Sequence, residues 1–387
     1  MAEPVIKGWC PGALRPMVSG DGLVVRIRPR GARLGQRQAA EVARLASAYG
    51  NGLIDLSSRA NIQLRGVTEA TYGTLINGLT ALGLIDENRA IESRRNIILT
   101  PFWAEGDGHT ALADALAGAF AAPNAPDLPE KFGFAIDCGS SPVLRDVSAD
   151  IRLERNADGE MICYADGSAH GARVTADTAI DAMQMLADWF LRSHGVRDTR
   201  GRMAAHLDRG VVLPDAFAQM PVQPCETFRP RPGAVTAGVL VGFDFGQMHA
   251  ETLLALAELG ALRVTPWRML LIEGIYGFPD LPGIITRPDD PMLRVVACTG
   301  SPGCLQAAQP TRLLARTLAP HVPDGSVLHV SGCTKGCAHP GHATLTLTAQ
   351  TNGFDLIRGG RAQGMPERTA LTAGSLAAHP EILSEAH

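Results

Sequence analysis

One order of elements occurs twice along the chain, and it constrains the fold more than any single motif. Leu23-Val-Val-Arg-Ile-Arg28 reads as a strand, Gly35-Gln36 opens a helix with Val42, Leu45, Ala46 and Tyr49 on one face, and Gly50-Asn-Gly52 stops it. Strands over 53–56 and 62–64 follow. The same order returns as a strand over 237–241, then Gly246-Gln247 opening a helix with Leu253, Leu256 and Leu259, then strands over 262–264 and 269–272. A strand-helix-strand-strand unit cannot cover both faces of its own sheet. Two copies are therefore expected to pack against one another about a pseudo-twofold axis.

A second pair of matching strands follows each unit. Arg95–Thr100 corresponds to Arg294–Thr299, and Lys131–Asp137 to Ser326–Ser331. Between the halves, Pro214, Pro221, Pro224, Pro230 and Pro232 mark an extended connector, because closely spaced prolines disfavour helix and sheet interior. The pattern predicts an α+β protein divided as 1–85 (N-terminal arm and first half-domain), 86–212, a connector over 213–232, a second half-domain over 233–286, and 287–387. With 387 residues, 45% of them hydrophobic, the chain exceeds what one core usually supports.

Only the second copy carries paired cysteines. Cys298-Thr-Gly-Ser-Pro-Gly-Cys304 and Cys333-Thr-Lys-Gly-Cys337 follow short apolar strands, and Gly300, Gly303, Gly332 and Gly336 make their loops glycine-rich. Four thiolates in loops whose bare backbone can approach sulfide suit an iron–sulfur cubane. Structural zinc is the rival, although its cysteine pairs usually lie two to four residues apart, and four unrelated buried thiols are the bland reading. Cys10, Cys138, Cys163 and Cys225 are scattered singly and read as bystander thiols.

The second constellation is Ser58-Arg-Ala-Asn-Ile-Gln-Leu-Arg-Gly66. On a strand Arg59, Asn61, Gln63 and Arg65 would share one face, with Ala60, Ile62 and Leu64 turned to the core. Such a row of donors suits a ligand carrying several acids, against the bland reading of a solvated strand face. Arg94, Arg95 and Lys131 begin strands of the same half, where strand ends would gather them around one cavity.

Net charge of -4 argues against nucleic-acid binding by bulk electrostatics. No hydrophobic run reaches membrane-spanning length, and Pro4, Pro11 and Pro16 fall where a signal peptide would need an apolar core, so a cytoplasmic protein with no membrane partner is expected. Gly106-Asp-Gly108 and Gly359-Gly360 read as turns, not nucleotide loops.

The paired cysteines, the Arg-x-Asn-x-Gln run, the Arg95-Asn96 before an apolar strand and the Leu128-Pro-Glu-Lys-Phe132 segment resemble the nitrite and sulfite reductase superfamily over nearly the whole chain. Within it, Cys10-Pro-Gly, the run from Pro16 to Gly22 and Arg26-Ile-Arg-Pro29 are most similar to the branch that hydroxylates precorrin-3A in aerobic cobalamin synthesis. The resemblance implies duplicated ferredoxin-like half-domains and two sulfite-reductase-like domains. It implies that Cys298, Cys304, Cys333 and Cys337 hold a 4Fe-4S cluster, with Cys337 at the position that bridges to sirohaem iron in reductases. It places Arg59, Arg95 and Lys131 at catalytic anion-binding positions, and Asn61, Gln63 and Arg65 beside them as substrate-binding residues. Reductases generally carry a second lysine two residues beyond the first, and here Gly133 stands there.

The implied reaction is a monooxygenation. Precorrin-3A is hydroxylated at C20 with dioxygen while an acetate closes a γ-lactone, and NADH-derived electrons arrive through a separate reductase or ferredoxin. A sirohaem-dependent sulfite or nitrite reductase is the alternative, and a zinc-stabilised binding module a third. A cubane alone is an incomplete oxygenase, so an additional mononuclear non-haem iron is expected, with sirohaem as the other prosthetic group to consider. His339 and His342, with an acid such as Asp137, are the residues to test for that iron, against their reading as ordinary polar side chains.

Overall fold

The computed structural model describes residues 11–156, 158–222 and 229–384. Cys10 and Cys225, with Pro4 and Pro224, lie outside the described residues. The duplicated halves are present and exchange strands. The first half-domain's sheet runs in the order Met17–Ser19, Gly22–Ile27, Ile62–Val67, Leu53–Leu56, and its fifth strand, Gln247–His249, comes from the second half. The second sheet runs Gly233–Val235, Gly238–Gly242, Met269–Glu273, Leu262–Val264, and closes with Arg33–Leu34 from the first half.

The turns that send the chain across are equivalent. Each is a 3-10 turn, Arg30–Ala32 or Asp244–Gly246, with its central residue left-handed: Gly31 at φ 59° and Phe245 at φ 58°. This corrects one expectation. Gly246-Gln247 does not open the second helix, because Gly246 ends the turn and Gln247 begins the exchanged strand; the helix is Ala250–Leu259. The true counterpart of Gly35 is His249, since both immediately precede their helices.

Helix Gln36–Tyr49 buries Ala39, Val42, Ala43 and Ala46, and helix Ala250–Leu259 buries Ala250, Leu253, Leu256 and Ala257. Spacings of three and four put each set on one face. The two faces meet in one core with the inner faces of both sheets, including Ile54, Leu64, Val241 and Ile272. Alanines on both helices let the axes approach closely. Neither half-domain has a core of its own, which is the physical reason for the duplication.

The remaining two sheets also correspond. In one, Ile97–Leu99, Phe134–Asp137 and Ile151–Arg155 are parallel neighbours, and antiparallel strands Met161–Ala165 and His170–Val174 extend it. In the other, Val295–Ala297, Leu328–Ser331 and Ala343–Gln350 are parallel, followed by antiparallel Gly353–Gly360 and Arg368–Leu371. The connector is not extended throughout. Asp215–Phe217 forms a 3-10 turn, and Met220–Pro221 pairs with the edge strand His170–Val174, where a proline is tolerated because it owes no ladder donor. Among the described residues no helix is long and apolar enough to cross a membrane.

Candidate thiolate centre and basic cleft

Cys298 and Cys333 each lie just past the C-terminal end of a parallel strand, Val295–Ala297 and Leu328–Ser331, and those strands are neighbours. Open α/β sheets bind ligands at such ends. Cys304 and Cys337 complete the two loops, and all four thiols are free of disulfides. Their loops are packed closely. The Gly332 amide donates to Cys298 Sγ at 3.1 Å, and a methyl group on Gly332 would lie 2.6 Å from Ala307 Cβ and 3.3 Å from that sulfur. Gly300 and Gly336 are left-handed at φ 69° and 61°, a conformation that glycine adopts without strain.

The thiols sense one another. Burial and then the charges of Cys298, Cys333 and Cys304 push Cys337 up to about 11, and burial raises Cys333 with smaller contributions from Cys298 and Cys304. Such a set ionises against a polycation. Cys337 is also exposed. Among the described residues no three His, Cys, Asp or Glu side chains converge on a single ion-sized point. That is a poor fit to one zinc ion. Nearby polar atoms are buried without a partner: the Arg312 Nε donor and both ring nitrogens of His329, one of which donates in the neutral ring that burial favours. Spread thiols, an amide already aimed at sulfur and unsatisfied N–H groups fit a polynuclear thiolate-held group with acceptor sulfides.

The basic residues divide. The strand begins at Ile62, not Arg59, because Ala60 is left-handed at φ 53° and the segment from Ser57 to Asn61 closes a corner. Ser57 N donates to the Asn61 carbonyl at 2.9 Å and Asn61 N to Ser57 Oγ at 3.1 Å. The expected row of four donors on one face is therefore broken. Arg59 swings toward the neighbouring sheet, donating to the Lys131 carbonyl at 3.0 Å and to Ser148 Oγ at 3.4 Å. Gln63 accepts from Arg26, at 3.0 Å from Nε. Arg65 is only 4% exposed and is held by Asp21 at 2.7 Å and Asp55 at 3.0 Å, so it is a linking residue and not an open clamp.

Arg59, Asn61, Arg95, Asn96 and Ser148 line one cavity of about 10 Å³, and Asn61 and Arg95 also line a second of about 30 Å³ with Arg28, Arg30, Gly31 and Ala60. Each is the size of a water or the head of one acidic group, not of a macrocycle. Arg95 is fixed by Asp86 at 2.9 Å and by the Arg28 carbonyl at 2.9 Å. Lys131 is exposed at the rim, and Arg94 turns away to the Phe120 carbonyl at 3.4 Å. Gly133 is buried between these groups. A methyl group there would lie 3.2 Å from the Asn96 carbonyl and 3.9 Å from Arg59 Nη1, which is where a second lysine would crowd the arginine.

Asp137, His339 and His342 do not assemble. Asp137 ends a strand of the cysteine-free sheet, where the amides of Val143 and Leu144 donate to it at 2.5 and 2.7 Å. Burial pushes its carboxyl up to about 6. The two histidine rings instead meet the carbonyls of His342 and Gly359, at 2.9 and 3.0 Å. In the first copy, Asp137 and its loop occupy the strand end that carries cysteines in the second.

Asp55, Arg268, Arg312 and His329 are not among the residues expected at the site. Asp55 is a buried hub reached by Arg65, by Gln247 at 2.8 Å and by Arg312 at 3.6 Å. Arg268 donates to the Ala338 carbonyl, next to Cys337, at 3.0 Å. A polar residue inside an apolar strand or turn was the available signal, as in Asp55 of Leu53–Leu56 and His329 of Leu328–Ser331.

The fold is shared with known proteins. Residues 15–82 match the nitrite/sulfite reductase ferredoxin-like half domain, and the whole chain shares its fold with the solved NirA protein of Mycobacterium tuberculosis at a TM-score of 0.66, with 16% identity over 93% of this chain and 79% of that one. The architecture is that of the sulfite-reductase-like proteins. Within that class the chain is similar to a precorrin-3B synthase from Sinorhizobium sp, 29% identical over 93% of this chain and 84% of the relative.

Proposed function

We propose that this chain is a precorrin-3B synthase, an oxidoreductase that hydroxylates precorrin-3A at C20 with dioxygen as a γ-lactone closes, in aerobic cobalamin biosynthesis. The reading is carried by the likeness to precorrin-3B synthase along nearly the whole length of both chains. One oxygen atom enters the substrate and the other leaves as water, with two electrons and two protons consumed. NADH-derived electrons would come through a separate reductase or ferredoxin.

Cys298, Cys304, Cys333 and Cys337 would hold a 4Fe-4S cluster, whose chemistry is single-electron transfer. Arg59 and Arg95 line a small polar cavity with Asn61, and with exposed Lys131 they would take acid groups at the rim of a flat substrate. A sirohaem reductase would be expected to use a second lysine where this chain has buried Gly133, which disfavours sulfite or nitrite as substrate.

The test is an absorption spectrum of anaerobically purified protein, with iron, sulfide, zinc and extractable haem measured on the same sample. Dithionite-bleached absorption with iron and sulfide and no sirohaem is the expected result. Strong sirohaem bands would favour the reductase, and a colourless zinc protein would overturn both.

A further inference from the structure

The two halves repeat one corner with different residues. Thr265 and Met269 exchange the bonds that Ser57 and Asn61 exchange, with Thr265 N donating to the Met269 carbonyl at 3.1 Å and Met269 N to Thr265 Oγ1 at 3.2 Å. The left-handed residue is Ala60 in the first half and Arg268 in the second, at φ 53° and 62°. The crossing turns differ likewise, with Gly31 in the first half and Phe245 in the second. In the first half, Gly31 and Ala60 both line the cavity of about 30 Å³. In the second, large side chains stand at both corners, and the two corners touch, since a methyl group on Gly246 would lie 2.5 Å from Arg268 Cβ.

A left-handed corner favours glycine, so an arginine and a phenylalanine there are retained against backbone preference. The Arg312 guanidinium lies 5.7 Å from the Phe245 ring, with its Nε buried and unpartnered. Asp55, its acid partner among the described residues at 3.6 Å, is already engaged by Arg65 at 3.0 Å. Arg268 donates to a carbonyl, that of Ala338. Burial lowers the pKa of both arginines, and for Arg268 the charge of Arg312 lowers it further, against the opposing charge of Asp55 on each. These two arginines belong to the half that carries the thiols. Thr311, next to Arg312, donates to the Cys298 carbonyl at 2.7 Å.

We infer that Arg268 and Arg312 are the counter-charges of the thiolate centre, positioning residues that hold the Cys337 and Cys298 loops and raise the reduction potential of the group bound there. This rests on the reading that the four cysteines hold an iron–sulfur cluster. Four thiolates leave such a cluster anionic, and each added electron is favoured by fixed positive charge nearby.

Redox titration of the cluster-loaded protein, followed by absorbance, tests it on wild type, R268Q, R268K, R312Q and R316Q. R268Q and R312Q should each lower the reduction equilibrium about tenfold, which for one electron is about 59 mV. R268K should restore most of the loss. R316Q removes an arginine that pairs with Asp244 at 2.6 Å on the surface, and should leave the potential unchanged. Cluster loss in R268Q but not in R268K would equally support a need for charge. Equal behaviour of R268Q and R268K, or reduction equilibria within twofold of wild type in both glutamine variants, would overturn the inference. If wild type itself holds no iron and sulfide, the cluster reading fails first.

Discussion

Arg65 and Glu273 occupy the same position in the two halves and carry opposite charge. Arg65 pairs with Asp55 at 3.0 Å, and Glu273 pairs with Arg263 at 2.6 Å; Asp55 and Arg263 are also equivalent, so the buried pair is reversed in sign across the pseudo-twofold axis. Each pair takes a third partner from the exchanged strand, Gln247 on Asp55 and Arg33 on Glu273, both at 2.8 Å. The strand exchange is thus locked by polar groups that only the correct crossing satisfies. The reversal leaves the arginine on the side where it also reaches the Gly303 carbonyl, at 3.3 Å.

Removing one member of a buried pair strands the other. Arg65→Met leaves Asp55 and Asp21 facing each other near the cysteine loop, and should destabilise the protein by about 3 kcal/mol or more. Urea unfolding measures this. A loss below about 1 kcal/mol would mean that the pair is solvated in the native state.

Gly20 ties the N-terminal hairpin to the loop before Cys304. Its amide donates to the Gly303 carbonyl at 3.1 Å, and a methyl group there would lie 2.0 Å from the Pro302 carbonyl oxygen. Because backbone must move, Gly20→Ala should cost about 1–3 kcal/mol and loosen the loop. Iron retained after a chelator challenge should fall relative to wild type; unchanged retention would show that the hairpin does not brace the site.

Asp137 gives a pH signature. Its carboxyl is raised by burial to about 6, above the unfolded value of about 3.9, so the folded state holds the extra proton between these values. Its contribution to stability therefore falls as pH rises from about 4 to 6. Asp137→Asn keeps an oxygen for the Val143 and Leu144 amides, and should gain on wild type by about 2–3 kcal/mol between pH 4 and pH 7. Denaturant unfolding at both pH values checks this, and a pH-independent difference would refute it.

Cys138 and Cys163 should be inert. Burial pushes Cys138 up to about 12 and Cys163 higher still. Iodoacetamide at pH 8, with peptide mass spectrometry, should leave both unmodified in the folded protein and label them after unfolding. Labelling of either in the folded state would contradict the buried core around the strands Phe134–Asp137 and Met161–Ala165.

The repeat was legible because a two-residue period and a helical period leave local traces, and the glycine-rich cysteine loops announced themselves by composition. The strand exchange was not legible, since Arg33–Leu34 and Gln247–His249 are too short to show a period and their partners lie in the other half. The row of donors from Arg59 to Arg65 failed for a related reason. Alternation holds only while the backbone stays extended, and Ala60 carries no sign in its side chain that it is left-handed. The partners of Asp55, Arg268 and Arg312 became visible only once both halves were folded together.

Anaerobic protein supplied with precorrin-3A, a reducing system and oxygen-18 gas decides between hydroxylation and reduction. The expected product is heavier by one oxygen atom, with that atom carrying the label, and sulfite and nitrite are not reduced. Unchanged precorrin-3A from iron-loaded protein, or reduction of sulfite or nitrite in its place, would contradict the proposed hydroxylation.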